Sequence, residues 1–215
     1  MDKELPLYFG SPIKRSKMSS ELLEKTNNLC EPYVKEARAL TEYAIKERNK
    51  LYNKDLKDFA MSYHSKSLAE DSDLKYLKDY IIDESFKFAD ESGFNIKNHN
   101  VFFKEFWVQE FASKGGHHMP HIHSNNHVCG FLFLKCSENT SKPVFHDPRP
   151  GAMMSRLPEK DPDQITPASY AFHFKPKPGQ FIIFPAYLLH EFTVDYGIDP
   201  FRFIHWNIQF IPRHA

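Results

Sequence analysis

The spacing of apolar residues changes once along the chain, near residue 94. Before that point the period is helical. Leu74, Leu77, Ile81 and Phe88 recur at helical intervals behind the N-cap candidates Asp71 and Asp73, and Gly93 stands where a left-handed residue ends a helix. A second stripe, Val34, Ala37, Leu40, Ala44 and Leu51, predicts a helix over residues 33–51 with Pro32 in its first turn. Residues 19–29 read as a further short helix. Residues 5–9 could form a strand, which Pro6 confines to a sheet edge.

After residue 100 the pattern is that of strands. Residues 101–111 (VFFKEFWVQEF) and 128–136 (VCGFLFLKC) are rich in Phe, Val and Leu, and the second is apolar enough for a strand buried on both faces. Further strands are predicted at 143–146, 170–174, 180–184, 190–194 and 201–211, separated by glycine- and proline-bearing turns. Seven or so short strands suggest a β-sandwich or barrel. Residues 153–167, with three prolines and mixed charge, read as a long loop of the kind that often serves as a lid.

Composition narrows the function. The chain has 215 residues, enough for one domain or one domain with an extension. Lys+Arg and Asp+Glu are both 28, and this balance argues against a partner that is nucleic acid or a membrane surface. With 8 glycines and no glycine-rich phosphate loop, a nucleotide site is not expected. Three cysteines without a C-x-x-C pair indicate a reducing compartment, and no apolar leader or span is evident, so the expectation is a cytoplasmic protein. Oligomeric state is left open.

The unusual feature is histidine. Five of the 12 lie between residues 117 and 127. On a strand, His121 and His123 would point to the same side and reach one metal ion. His190, at the end of an apolar strand, is the candidate third ligand. Arg202 opens the next apolar strand, and a cation entering a Phe-rich interior needs an anion; a dicarboxylate would supply one. A merely polar histidine loop is the plainer reading of the cluster. Asp147 could ligate a metal, but before a proline it is more often a turn former.

Taken in order, Trp107, Gly115-Gly116, His121-Ile122-His123, Cys129-Gly130-Phe131, Asp147-Pro148-Arg149, the segment from Gly179 to Pro185 followed by His190, and finally Arg202 form a recognisable series. Over roughly residues 101–211 the chain resembles the 2-oxoglutarate/Fe(II)-dependent dioxygenase superfamily, and more narrowly a 2OG-Fe(II) oxygenase family of marine bacterial and cyanophage type. It departs from that pattern at Cys129, Phe131, Phe133 and Ile204, and at His123, which stands where most members have a carboxylate.

The resemblance implies a mainly β chain with a helical N-terminal part, folded as a double-stranded β-helix, or jelly roll. Residues 1–94 would be a helical segment packed on the barrel, and 95–215 the catalytic core of one structural unit. It implies Fe(II) held by His121, His123 and His190, 2-oxoglutarate as cosubstrate with Arg202 on its distal carboxylate, and hydroxylation of a small-molecule or peptidyl substrate with release of succinate and CO2. No catalytic side chain separate from the metal ligands is expected; Arg149, His118 and Trp107 would stand near the substrate or behind the ligands. The alternatives are a cupin-type three-histidine metalloenzyme without 2-oxoglutarate, which needs no Arg202, and a non-catalytic jelly-roll module with structural zinc.

Overall fold

The computed structural model describes residues 9–112 and 114–213; the strand expected at residues 5–9 falls almost entirely outside them. Two helices dominate the first half. α1 (Ser20–Leu51) is capped by Ser19, whose hydroxyl accepts from the Leu22 N–H at 3.3 Å. It runs straight through Pro32, so the two helices expected from the sequence are one. Proline deletes an N–H and crowds the preceding turn, yet the buried stripe Thr26, Cys30, Val34 and Ala37 continues across it. A short 3-10 turn (Ser72–Leu74), capped by Asp71, leads into α2 (Lys75–Glu91), and Gly93 follows it at φ +89°.

Ten strands make two antiparallel sheets. The larger contains β1 (Lys14–Lys17), β2 (Ser62–His64), β3 (His99–Phe111), β5 (Val128–Lys135), β8 (Gln180–Pro185) and β10 (Phe201–Pro212), in the order β1-β8-β5-β10-β3-β2. The smaller contains β4 (His118–His121), β6 (Pro143–His146), β7 (Ala171–His173) and β9 (His190–Phe192), in the order β4-β9-β6-β7. A five-residue helix, α3 (Pro150–Met154), opens the segment expected to be a long loop.

The jelly-roll expectation is therefore corrected. Neither sheet closes: β1 and β2 are the edges of one, β4 and β7 of the other. The smaller sheet's strands have three or four residues each, too short to wrap around the 13-residue β3 and 12-residue β10. With a 32-residue and a 17-residue helix the chain is mixed α/β rather than mainly β.

Strand alternation gives the larger sheet two buried faces. One packs on the helices: Val108, Leu132, Ile204, Trp206 and Ile208 meet Cys30, Val34, Leu77 and Ile81. The other faces the smaller sheet across an aromatic core of Phe111, Phe131, Phe133, Phe145, Phe184, Phe192, Phe201 and Phe203. Gly130 is required where the chain crosses Trp206, since a Cβ there would lie 2.1 Å from the indole. No helix among the described residues is long and apolar enough to cross a membrane.

Candidate metal centre

His121 ends β4, and its register partner is His190, the first residue of β9. His123 lies two residues beyond the end of β4, not on it. It is held because its N–H donates to the Ala186 carbonyl at 3.0 Å, which ties this loop to the end of β8. The same-side geometry expected from strand alternation is thus reached by a loop anchored to the other sheet. One ligating atom from each of His121, His123 and His190 lies within 4.8 Å of the other two. Their ring centroids are 4.5, 5.0 and 5.1 Å apart.

Hydrogen bonds set the tautomers. Nδ1–H of His190 donates to the Leu188 carbonyl at 2.9 Å, and Nδ1–H of His121 to the Met119 carbonyl at 2.7 Å, so each keeps a lone pair on Nε2. Nδ1 of His123 lies 3.0 Å from Asn207 Nδ2, and the Glu105 carboxylate is 4.0 Å from the same nitrogen. Nε2 of His123 and of His190 is buried without any partner. Burial, and then His121, lowers the pKa of His123 to about 4; burial likewise lowers that of His190 to about 3. These rings are neutral at pH 7, which is the metal-binding form.

Sequence reasoning left His205 unassigned, yet β10 brings it to the same cluster. It stacks on His123 with centroids 4.7 Å apart, its Nδ1–H donates to the Gly130 carbonyl, and its Nε2 is buried and unpartnered. Glu105, His123 and His205 form a second three-ligand group that shares His123 with the first. The period-2 pattern of residues 201–211 could have found His205, because it falls on the face that carries Phe201 and Phe203.

The remaining expectations divide. His118 packs 5.6 Å from His121, accepts from Gln109 and stacks on His64 at 5.6 Å; burial lowers its pKa to about 3. Trp107 lies against His205 and His64 at 4.8 and 5.4 Å. Both therefore adjoin the cluster. Arg149 does not: its guanidinium forks onto Asp147 and reaches the Pro167 carbonyl, stapling the segment after β6, and this pairing holds the Asp147 carboxyl below its ordinary pKa.

Arg202 is a correction. Its side chain leaves β10 on the helix face, with Ile204 and Trp206, opposite the histidines. Nε and Nη2 bond Glu110, each at 2.7 Å, and Nη1 bonds Asn27 and Glu31 of α1 at 3.0 and 2.8 Å. The guanidinium is 2% exposed and is the only buried Lys or Arg among the described residues. The β10 positions that face the histidines are Phe201, Phe203, His205 and Asn207.

Comparison with known proteins agrees with this geometry in part. Residues 105–198 match the profile of the family described as "Putative 2OG-Fe(II) oxygenase", a span that contains the three histidines and stops short of Arg202. Nothing in the similarity singles out a marine bacterial or cyanophage type. No curated protein matches the chain. Solved structures share the fold at low identity. AviO1 from Streptomyces viridochromogenes Tue57 superposes with a TM-score of 0.57 at 11% identity, over 92% of this chain and 89% of that one. The viral collagen prolyl hydroxylase of Paramecium Bursaria Chlorella virus-1, solved as a 2OG complex, gives 0.54 at 11%, over 94% and 96%. A Pseudomonas putida prolyl-4-hydroxylase gives 0.52 at 8%, over 92% of each. Residues 105–198 thus resemble the 2OG-Fe(II) oxygenase family in sequence, and nearly the whole chain shares its fold with these solved structures.

Proposed function

We propose that the chain is a mononuclear non-haem iron oxygenase whose ferrous ion is held by His121, His123 and His190. The observation that carries this reading is the pair of buried, unpartnered Nε2 atoms on His123 and His190 within the three-histidine group. A buried polar atom without a partner is costly, and native proteins rarely leave one. A cation shared by His121, His123 and His190 would satisfy these rings at once. Iron held there would supply dioxygen activation.

The protein's own residues supply the rest. Asn207 holds the His123 ring, and the Leu188 and Met119 carbonyls fix His190 and His121. The phenylalanine core behind the rings keeps water from the inner side of the ion. His118, His64 and Trp107 form the wall beside His121, where a small-molecule or peptidyl substrate would meet the ion.

Hydroxylation coupled to 2-oxoglutarate, with release of succinate and CO2, is the chemistry that the family similarity favours. The side chains around the histidines do not fit that dianion, because the only buried guanidinium among the described residues is spent on Glu110 and Glu31 on the other face of the sheet. The test is anaerobic titration with Fe(II). One equivalent should bind to the wild type and none to His190→Ala or His121→Ala. Unchanged binding in both variants would overturn the assignment. A tight ion with four protein ligands and no exchangeable water would instead favour a structural zinc module.

A further inference from the structure

We infer that the centre takes a singly charged 2-oxo acid with an aromatic or apolar body, of the phenylpyruvate type, in place of 2-oxoglutarate. This rests on the iron reading above and concerns what the ion binds next. Three neutral imidazoles leave the full dipositive charge on the metal, which suits a bidentate ligand carrying one negative charge. A five-carbon dicarboxylate brings a second charge, and that charge needs a cation of its own.

Among the described residues, no lysine or arginine side chain is buried beside the histidines. On one side of the histidines lie Phe131, Phe145, Phe184 and Phe192, packed together; the guanidinium at the rim of this cluster is that of Arg15, which is exposed and lies over the Phe174 ring. On β10 the positions turned toward the rings are Phe201, Phe203, His205 and Asn207, while Arg202 is turned away and saturated by Glu110, Glu31 and Asn27. On the open side the wall is Trp107, His64 and His118. Glu105, whose carboxylate lies 4.0 Å from His123 Nδ1, is an anion that would repel a second carboxylate. Flat aromatic and imidazole faces favour a flat apolar body, because offset or edge-on ring contacts add to the area buried.

The experiment uses the whole chain loaded anaerobically with one equivalent of Fe(II). It is titrated separately with phenylpyruvate, 4-methyl-2-oxopentanoate and 2-oxoglutarate, and affinity is read by calorimetry and by the visible charge-transfer band. Both apolar acids should bind at least tenfold more tightly than 2-oxoglutarate. Trp107→Ala should weaken phenylpyruvate by roughly three- to tenfold while leaving 2-oxoglutarate unchanged. Arg202→Gln, provided it retains Fe(II), should change none of the three affinities. The inference is overturned if 2-oxoglutarate binds as tightly as the apolar acids, if Arg202→Gln selectively loses it, or if no 2-oxo acid binds while iron remains in place. Failure to bind Fe(II) at all would instead count against the iron reading.

Discussion

At the scale of single residues, Arg202 shows how far a local pattern can mislead. The run from Phe201 to Phe210 is apolar on both faces, so alternation says that the strand is buried but not which face is which. The facing is decided by Glu110 on the neighbouring strand and Glu31 on α1, both distant in sequence. The consequence is energetic. Arg202→Met should remove a buried cation and leave the 1%-exposed Glu110 with only Arg38, costing about 3–5 kcal/mol in a urea melt. A loss below about 1 kcal/mol would mean that the pair is not closed as described. Gly130 is a second sensitive position. Gly130→Ala drives a methyl into Trp206 and the Ile182 carbonyl, so it should destabilise by about 1–3 kcal/mol or more. It should also weaken metal binding, because the displaced Gly130 carbonyl orients His205 beside His123.

At the scale of elements, the sequence was most legible where periodicity is sustained. The strands expected at 101–111, 128–136, 143–146, 180–184 and 201–211 all appear within two residues of their expected ends, and α2 lies between the cap and the glycine that mark it. The elements that were not foreseen have other sources of order. β1 and β2 are short edge strands, and β1 is polar (KRSK), held by pairing with β8 rather than by a pattern of its own. His121 and His123 were expected to share a strand, but the strand ends between them; the Ala186 carbonyl that places His123 is 63 residues away in sequence. The continuity of α1 through Pro32 was likewise invisible locally, because the stripe that holds it is set by the sheet beneath. The start of α1 is a local matter, and Ser19→Ala should cost about 1 kcal/mol. Circular dichroism melts would show it as a shift of a few degrees without loss of helix at low temperature.

At the scale of the whole molecule, the fold holds a group of neutral imidazoles between its sheets, and this ties its stability to pH. Burial lowers the pKa of His118 to about 3, of His123 to about 4 and of His190 to about 3, and holds that of fully buried His205 well below the ordinary value near 6.5. Each folded pKa lies below its unfolded value, so an unfolded chain binds protons as pH falls through 6.5 while the folded chain does not. The stability these groups contribute is fully present above pH 6.5 and is lost progressively toward pH 4 and below. Each group adds a slope of about 1.4 kcal/mol per pH unit once its unfolded form is protonated. The metal-free protein should therefore lose stability steeply between pH 6.5 and 4, faster than carboxylates alone would cause. Bound metal adds a second effect of the same sign. It selects the folded chain with deprotonated rings, so saturating Fe(II) or Zn(II) should raise the urea midpoint at pH 7 and lose that advantage as the pH falls. Urea midpoints measured at pH 7, 6 and 5, with metal and with chelator, would check both effects. A metal-free midpoint that stays flat from pH 7 to 5 would show that the rings are not buried as a neutral group, and removing His205 by His205→Phe should visibly flatten the slope if they are.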